Sequence, residues 1–385
     1  MASWQPLAAT GIGSVPFTAP DLTVALILEN LPELPFWPQM VRRGFREEMV
    51  AQAARGLPGL KVDADAHAVA MDPDIPRDQA LAEFYELVLG GELEPFALEP
   101  DEAQGFFSLT HTVASRPDGP WGLKGQLSGP VTLAGMVKDE TGKPILYDRE
   151  LTQAVIQGLA KKAAWQAAKF RELGKEPLIF FDEPYLSGFG SAFLPISREV
   201  VAEILNETLQ AAREPGPITL GIHCCGNTDW SLLVEAPIDV LSFDSYGYFD
   251  SLLLYEKPVK AFLGRGGWLA WGLVPTNEDL HRETGDSLWE RFQGQVGRLA
   301  GLGLEVPQIL SRALLTPACG LGYLTPEAAT RVLTLLKDFS TRGREWLVES
   351  CRLLVGRAGG AVAPPPSPQT PLPTPFKLGR RLAPR

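Results

Sequence analysis

His223, Cys224 and Cys225 stand side by side in GIHCCGNTDW (221–230), in a chain with only four His and four Cys. Alternate side chains of a strand share a face, so His223 and Cys225 project together while Cys224 points the other way. Cys319, in TPACGLG, sits at the end of another apolar run. One imidazole and two thiolates make a good catalytic zinc set: they leave a fourth coordination position open, and the two thiolates offset the ion's charge. Thiols are also common as small buried core residues, and for Cys224 and Cys351 a structural role is the expectation. Two further stretches carry polar groups where chemistry could use them. TGIGSVP (10–16) places a flexible Gly13 beside the hydroxyl of Ser14, which suits main-chain binding of an anion. FFDEPYL (180–186) ends an apolar run on two adjacent carboxylates, Asp182 and Glu183.

Elements must bring these stretches together. Apolar, β-rich runs ending in Gly, Pro or polar residues occur at 9–16, 105–114, 122–133, 177–186, 217–226, 238–247, 267–276 and 308–320. Helical spacing of apolar residues marks 150–174, 197–214, 278–302 and 326–354, the last with Thr325 as N-cap and Pro326 as first helical residue. Strands alternating with helices predict an α/β fold, a (β/α)8 TIM barrel with an elaborated N-terminal connection over 18–104. Barrel enzymes gather their sites at the C-terminal ends of the strands, which is where His223, Cys225 and Cys319 fall. A doubly wound open sheet is the competing architecture, but no GxGxxG or P-loop follows any strand. The expected organisation is one barrel domain over 1–358 and a disordered, Pro-rich tail over 359–385.

Composition narrows the partners. A net charge of −11 disfavours nonspecific contact with nucleic acid or anionic membrane. No run of about 18 apolar residues predicts a membrane span, and the first residues lack a secretory pattern. Four Cys in so long a chain fit a reducing, cytoplasmic setting better than a disulfide framework.

IHCCGN, DVLSFDS and TPACGLGYLTPEAA together resemble the catalytic domain of cobalamin-independent methionine synthase, in a superfamily shared with uroporphyrinogen decarboxylases and methylcobamide:coenzyme M methyltransferases. The resemblance is to a short, core form without the extra N-terminal barrel. It implies zinc ligation by His223, Cys225 and Cys319, with Asp244 at the place of the family's Glu ligand and a methylene shorter. It also implies that Ile12, Gly13 and Ser14 hold the carboxylate of homocysteine and that Asp182, with Glu183 beside it, takes the amino group. The LSGPVTLAG turn (127–135) matches as a structural element. The family's His after the seventh strand has no counterpart in WGLVPTNEDL, where His281 comes later and is expected on a solvent-facing helix; FREEMV (45–50) stands where the family has HGE.

The implied activity is zinc-dependent methyl transfer to a thiol, homocysteine giving methionine. The methyl donor expected is a methyl corrinoid, carried by a corrinoid protein, with methyltetrahydrofolate as the second candidate. Three rivals share the site or the fold: a uroporphyrinogen decarboxylase-like enzyme, which needs clustered Arg; a methylcobamide:thiol methyltransferase with another acceptor; and a non-catalytic zinc-binding module, which needs a closed four-ligand site.

Overall fold

The computed structural model describes residues 4–116, 118–192 and 194–357; the Pro-rich tail expected over 359–385 lies outside them. A small antiparallel hairpin, β1 (Leu60–Asp63) and β2 (Ala68–Met71), stands apart from the main sheet. That sheet is parallel and curled, with six strands in sequence order: β3 (Gly122–Ser128), β4 (Glu176–Asp182), β5 (Thr219–Cys224), β6 (Val240–Phe243), β7 (Trp268–Val274) and β8 (Ala313–Pro317). All six correspond to sequence-predicted runs. Their residues are almost entirely buried, the pattern of strands covered on both faces.

The two edges of the sheet are reached by the N-terminal region. Residues 7–10 bond to β8 through Leu7 N–Ala313 O, Thr10 N–Leu315 O and Leu315 N–Ala8 O. Residues 35–37 bond to β3 through Lys124 N–Pro35 O and Trp37 N–Lys124 O, and Ser14 pairs with Gln39 between them. These are isolated parallel bridges, so the predicted strand 9–16 is present as single pairings and not as a regular strand.

One predicted strand is a helix. Residues 105–114 lie in Gln104–Ala114, whose buried residues Gly105, Phe106, Leu109 and Val113 recur at helical spacing. β-favouring Phe, Thr and Val yield here because that spacing lets Phe106 pack on Trp37, Trp165 and Phe170. The 18–104 connection also holds helices Pro20–Asn30, Met49–Ala54 and Arg77–Gly90.

The four predicted helices form, with clear start signals. Asp148 accepts from Glu150 N and Leu151 N at the start of Arg149–Glu172, Ser197 caps Arg198–Arg213, and Thr284 with Ser287 makes a capping box before Gly285–Ala300. Pro326 opens the helix Pro326–Arg357, with Thr325 Oγ1 accepting from Ala328 N. Among the described residues no helix is long and apolar enough to cross a membrane.

Inside the sheet's concave face lies a separate apolar cluster: Trp4, Ala8, Leu34, Leu178, Phe180, Val240, Trp268, Ala270 and Leu314. It fills the N-terminal end of the sheet and supports a polar layer above it. The larger cluster packs between the sheet's outer face and the helices.

Candidate metal centre and ligand cavity

Strand pairing sets the site. Ser128 of β3, Asp182 of β4, His223 of β5 and Ser242 of β6 are successive register partners, so four inward side chains stand in one row near the C-terminal edge. Ser242 Oγ lies 2.9 Å from His223 Nδ1. With Nδ1 so held, Nε2 is the free nitrogen; it is buried and has no hydrogen-bond partner. The ligand atoms of His223, Cys225 and Cys319 all lie within 4.8 Å of one another. In a tetrahedral zinc site, bonds of about 2.0–2.3 Å put neighbouring ligand atoms about 3.3–3.8 Å apart. The three donors therefore fit such an ion with only a small contraction, and the orphaned imidazole nitrogen gains the partner it lacks.

The thiols already differ. Facing Cys225, and with His223 and the Gly320 N–H beside it, the Cys319 sulfur is held well below the ordinary thiol range while Cys225 is driven above it. Cys224 faces away: it is fully buried, with its thiol pushed up to about 12 mainly by burial. Cys351 is exposed on the helix Pro326–Arg357.

Beside the triad a cavity of about 530 Å³ is lined by Ile12, Ser14, Gln39, Arg42, Glu48, Asp182 and Tyr323, with His223, Cys225 and Cys319 on its wall. Asp182 is almost fully buried, and its Oδ1 has no hydrogen-bond partner. Burial pushes its carboxyl up to about 6 against the opposing pull of Lys124 and His223. The predicted Ile12–Ser14 segment reaches the same cavity. Ser14 Oγ accepts from Gly322 N at 3.3 Å, which leaves its own hydrogen free to donate. Among the described residues, no hydrogen bond occupies the main-chain N–H of Gly13 or Ser14.

The turn after β8 is fitted to this segment. Leu321 N donates to Ser14 O at 2.8 Å. A Cβ on Gly320 would stand 2.1 Å from Ser14 Oγ, so any larger residue there would force the Ser14 side chain to shift. Gly320→Ala should therefore destabilise the fold by about 1–3 kcal/mol, read as a lower thermal midpoint. An unchanged midpoint would mean that Ser14 swings aside freely.

Two predicted residues are placed elsewhere. Glu183 follows Asp182 on the opposite face and is fully buried; its carboxylate accepts from Val131 N (2.9 Å), Thr132 N (2.8 Å) and Thr132 Oγ1 (2.6 Å). It thus anchors the start of the short helix Pro130–Met136, the LSGPVTLAG turn. Gly129 is glycine for the same reason, since a Cβ would meet the Glu183 carboxyl carbon at 2.2 Å. Asp244 is not among the clustered ligand atoms. It caps the helix Ser245–Leu253 by accepting from Gly247 N at 2.8 Å, close enough to the site for His223 to act on its carboxyl. His281 is exposed at the end of the short helix Glu278–His281, as expected.

Sequence reasoning passed over Ser242, Lys124 and Arg42. Ser242 had a signal: it lies two residues before Asp244, on the same face of a strand predicted next to His223. Arg42 and Glu48 had none beyond the position of FREEMV, because a long connection carries them to the cavity.

No sequence family and no curated protein matches this chain. Among solved structures, the chain is similar to a B12-independent methionine synthase from Shewanella sp. W3-18-1 in complex with selenomethionine, at a TM-score of 0.57 and 14% identity, covering 89% of this chain and 99% of that one. A GH113 β-mannanase from Alicyclobacillus acidocaldarius in complex with ManMIm aligns over 89% of this chain and 98% of its own at 10% identity, and its TM-score of 0.38 is too low to bear on the fold. The first likeness is one of fold: this chain shares the α/β architecture of a methionine synthase of similar length.

Proposed function

We propose that the protein is a zinc-dependent S-methyltransferase that methylates homocysteine to methionine in the cytoplasm. The observation that carries this reading is the convergence of His223, Cys225 and Cys319 on one wall of a cavity that also holds Ser14 and Asp182. The name of the structural neighbour supports it. We also infer that the bridges of residues 7–10 and 35–39 complete an eight-stranded barrel within a single domain over 1–358; the apolar cluster that joins Trp4, Ala8 and Leu34 to residues of the sheet supports closure.

His223 Nε2, Cys225 Sγ and Cys319 Sγ would hold the zinc, and Ser242 keeps the imidazole turned toward it. A bound zinc ion lets a substrate thiol lose its proton at neutral pH, where a free thiol with pKa about 8.5 is mostly protonated. Everything else falls to the chain. The unpartnered Asp182 Oδ1 receives the ammonium of the amino acid. The N–H groups of Gly13 and Ser14 and the Ser14 hydroxyl take its carboxylate. Held at both ends, the substrate would present its sulfur to the triad and, in line, to the methyl carbon of the donor, whose bond to its carrier breaks with the electron pair staying on the carrier as the C–S bond forms.

A decarboxylase of polycarboxylate tetrapyrroles fits less well, because among the described residues lining the cavity Arg42 is the one arginine. A closed structural zinc site fits less well too, since Asp244 is engaged as a helix cap.

For the donor, a methyl corrinoid is the first candidate, since the net charge of −11 does not favour a folate bearing a polyanionic tail, whereas the neighbour's B12 independence weighs toward the folate. The experiment incubates zinc-loaded protein and homocysteine with methylcobalamin or methyltetrahydrofolate and quantifies methionine. Methionine from the corrinoid is the expected result. Turnover with the folate alone would reverse the donor and keep the acceptor; no methionine with either donor, free or protein-bound, would end the methionine synthase reading.

A further inference from the structure

Lys124 lies in the polar layer beneath the cavity, on β3, fully buried. Its Nζ donates to the Ile12 carbonyl oxygen and to Gln126 Oε1, the latter at 3.1 Å, and lies 4.8 Å from the centroid of the Phe180 ring. Gln126 is fixed in turn, its Nε2 donating to Trp37 O at 3.0 Å. A buried ammonium is expensive, and hydrophobic residues in place of buried ions are often neutral or stabilising. Burial alone therefore gives this lysine no reason to be here.

Its contact with Ile12 does. The Ile12 carbonyl and the Gly13 N–H belong to one trans peptide plane and point in opposite directions. Drawing the carbonyl inward onto Nζ turns the Gly13 N–H outward, away from the sheet interior. Gln126 presses on the same residue: a Cβ on Gly13 would lie 2.7 Å from Gln126 Cγ. We propose that Lys124 is a positioning residue that sets the Ile12–Gly13 peptide so that its N–H faces the anionic end of the substrate. The inference deepens the proposed function and rests on its reading of the Ile12–Ser14 segment as the carboxylate cradle. Burial lowers the lysine to about 7, with Asp182 opposing the shift. A neutral amine still has two N–H groups for its two acceptors, so the tie holds in either protonation state.

The test uses Lys124→Met in the zinc-loaded protein, with amide hydrogen exchange over residues 10–16 and methyl transfer to two thiols. Exchange should quicken locally while zinc content and the unfolding midpoint stay near those of the parent. kcat/KM for homocysteine should fall by about tenfold to a hundredfold, while a simple thiol without an amino-acid end reacts as before. Should Lys124→Met fail to fold, Gln126→Leu should show a smaller rise in exchange over the same residues. Unchanged local exchange, or a uniform rise with a lowered midpoint, overturns the positioning role. The exchange readout does not depend on methyl transfer. Local quickening in a protein that methylates no thiol would therefore keep the tie and discard the enzyme assignment, whereas equal losses with both thiols would overturn the role in the carboxylate cradle.

Discussion

The protein should carry about one zinc ion per chain, and Cys319→Ser and His223→Ala should each strip most of it. The three donors come from the ends of two strands, and among the described residues no fourth side-chain donor joins the cluster: Asp244 is committed to its helix cap. Removing a partner that merely orients a ligand costs about 10–100-fold in metal affinity, so removing a ligand should cost more than about a hundredfold, with methyl transfer falling in step. Ser242→Ala falls in the milder class, because it frees the imidazole without removing it. Cys224→Ala should keep the metal, since that thiol faces the outer core. Metal analysis of the four variants beside the parent decides the matter. Full zinc in Cys319→Ser would dismantle the assignment, and loss of zinc in Cys224→Ala would mean the ligand set had been drawn wrongly.

Asp182→Asn should separate substrate recognition from the metal. A hydrogen bond to a charged group contributes about 1.5–3 kcal/mol, so homocysteine should bind roughly 10- to 150-fold more weakly. Zinc should stay. The unfolding midpoint should not drop, because the carboxylate is buried at an energetic cost that is already visible in its raised pKa, and the amide avoids it. Calorimetric titration with homocysteine reads the affinity directly. Equal affinity in variant and parent would show that the ammonium goes elsewhere.

How much of this could be read beforehand depended on which physical rule governed each residue. Strand parity decided the triad: in HCC (223–225), only the first and last residues can share a face. The same parity separates Asp182 from Glu183, and the resemblance that grouped them as one binding motif overrode it. Their neighbourhood in sequence guarantees that they work on opposite sides of the sheet. Asp244 ends a short strand, and there the demand of the next helix for a cap competes with any call on the side chain from the metal. The 105–114 segment misled because its composition favours strands, while its burial pattern, which depends on partners distant in sequence, is helical. Lys124 was passed over because its meaning depends on a carbonyl more than a hundred residues earlier, a separation that no local pattern encodes.

The seam between the two ends of the chain has a consequence for biosynthesis. Residues 7–10 are made some three hundred residues before their hydrogen-bonding partners on one side, Ala313 and Leu315, and Ser340 Oγ closes on Leu7 O at 2.7 Å. Until those residues emerge, the first apolar segment has no mate along that edge and must be kept from pairing with other chains. Cys319 arrives in the same late stretch, beside the turn that grips Ser14. On the proposed zinc reading, completion of the ligand set and the sealing of that edge fall at the same late stage of synthesis, and a nascent chain stalled before residue 313 would expose an unpaired edge and only His223 and Cys225 of the three donors.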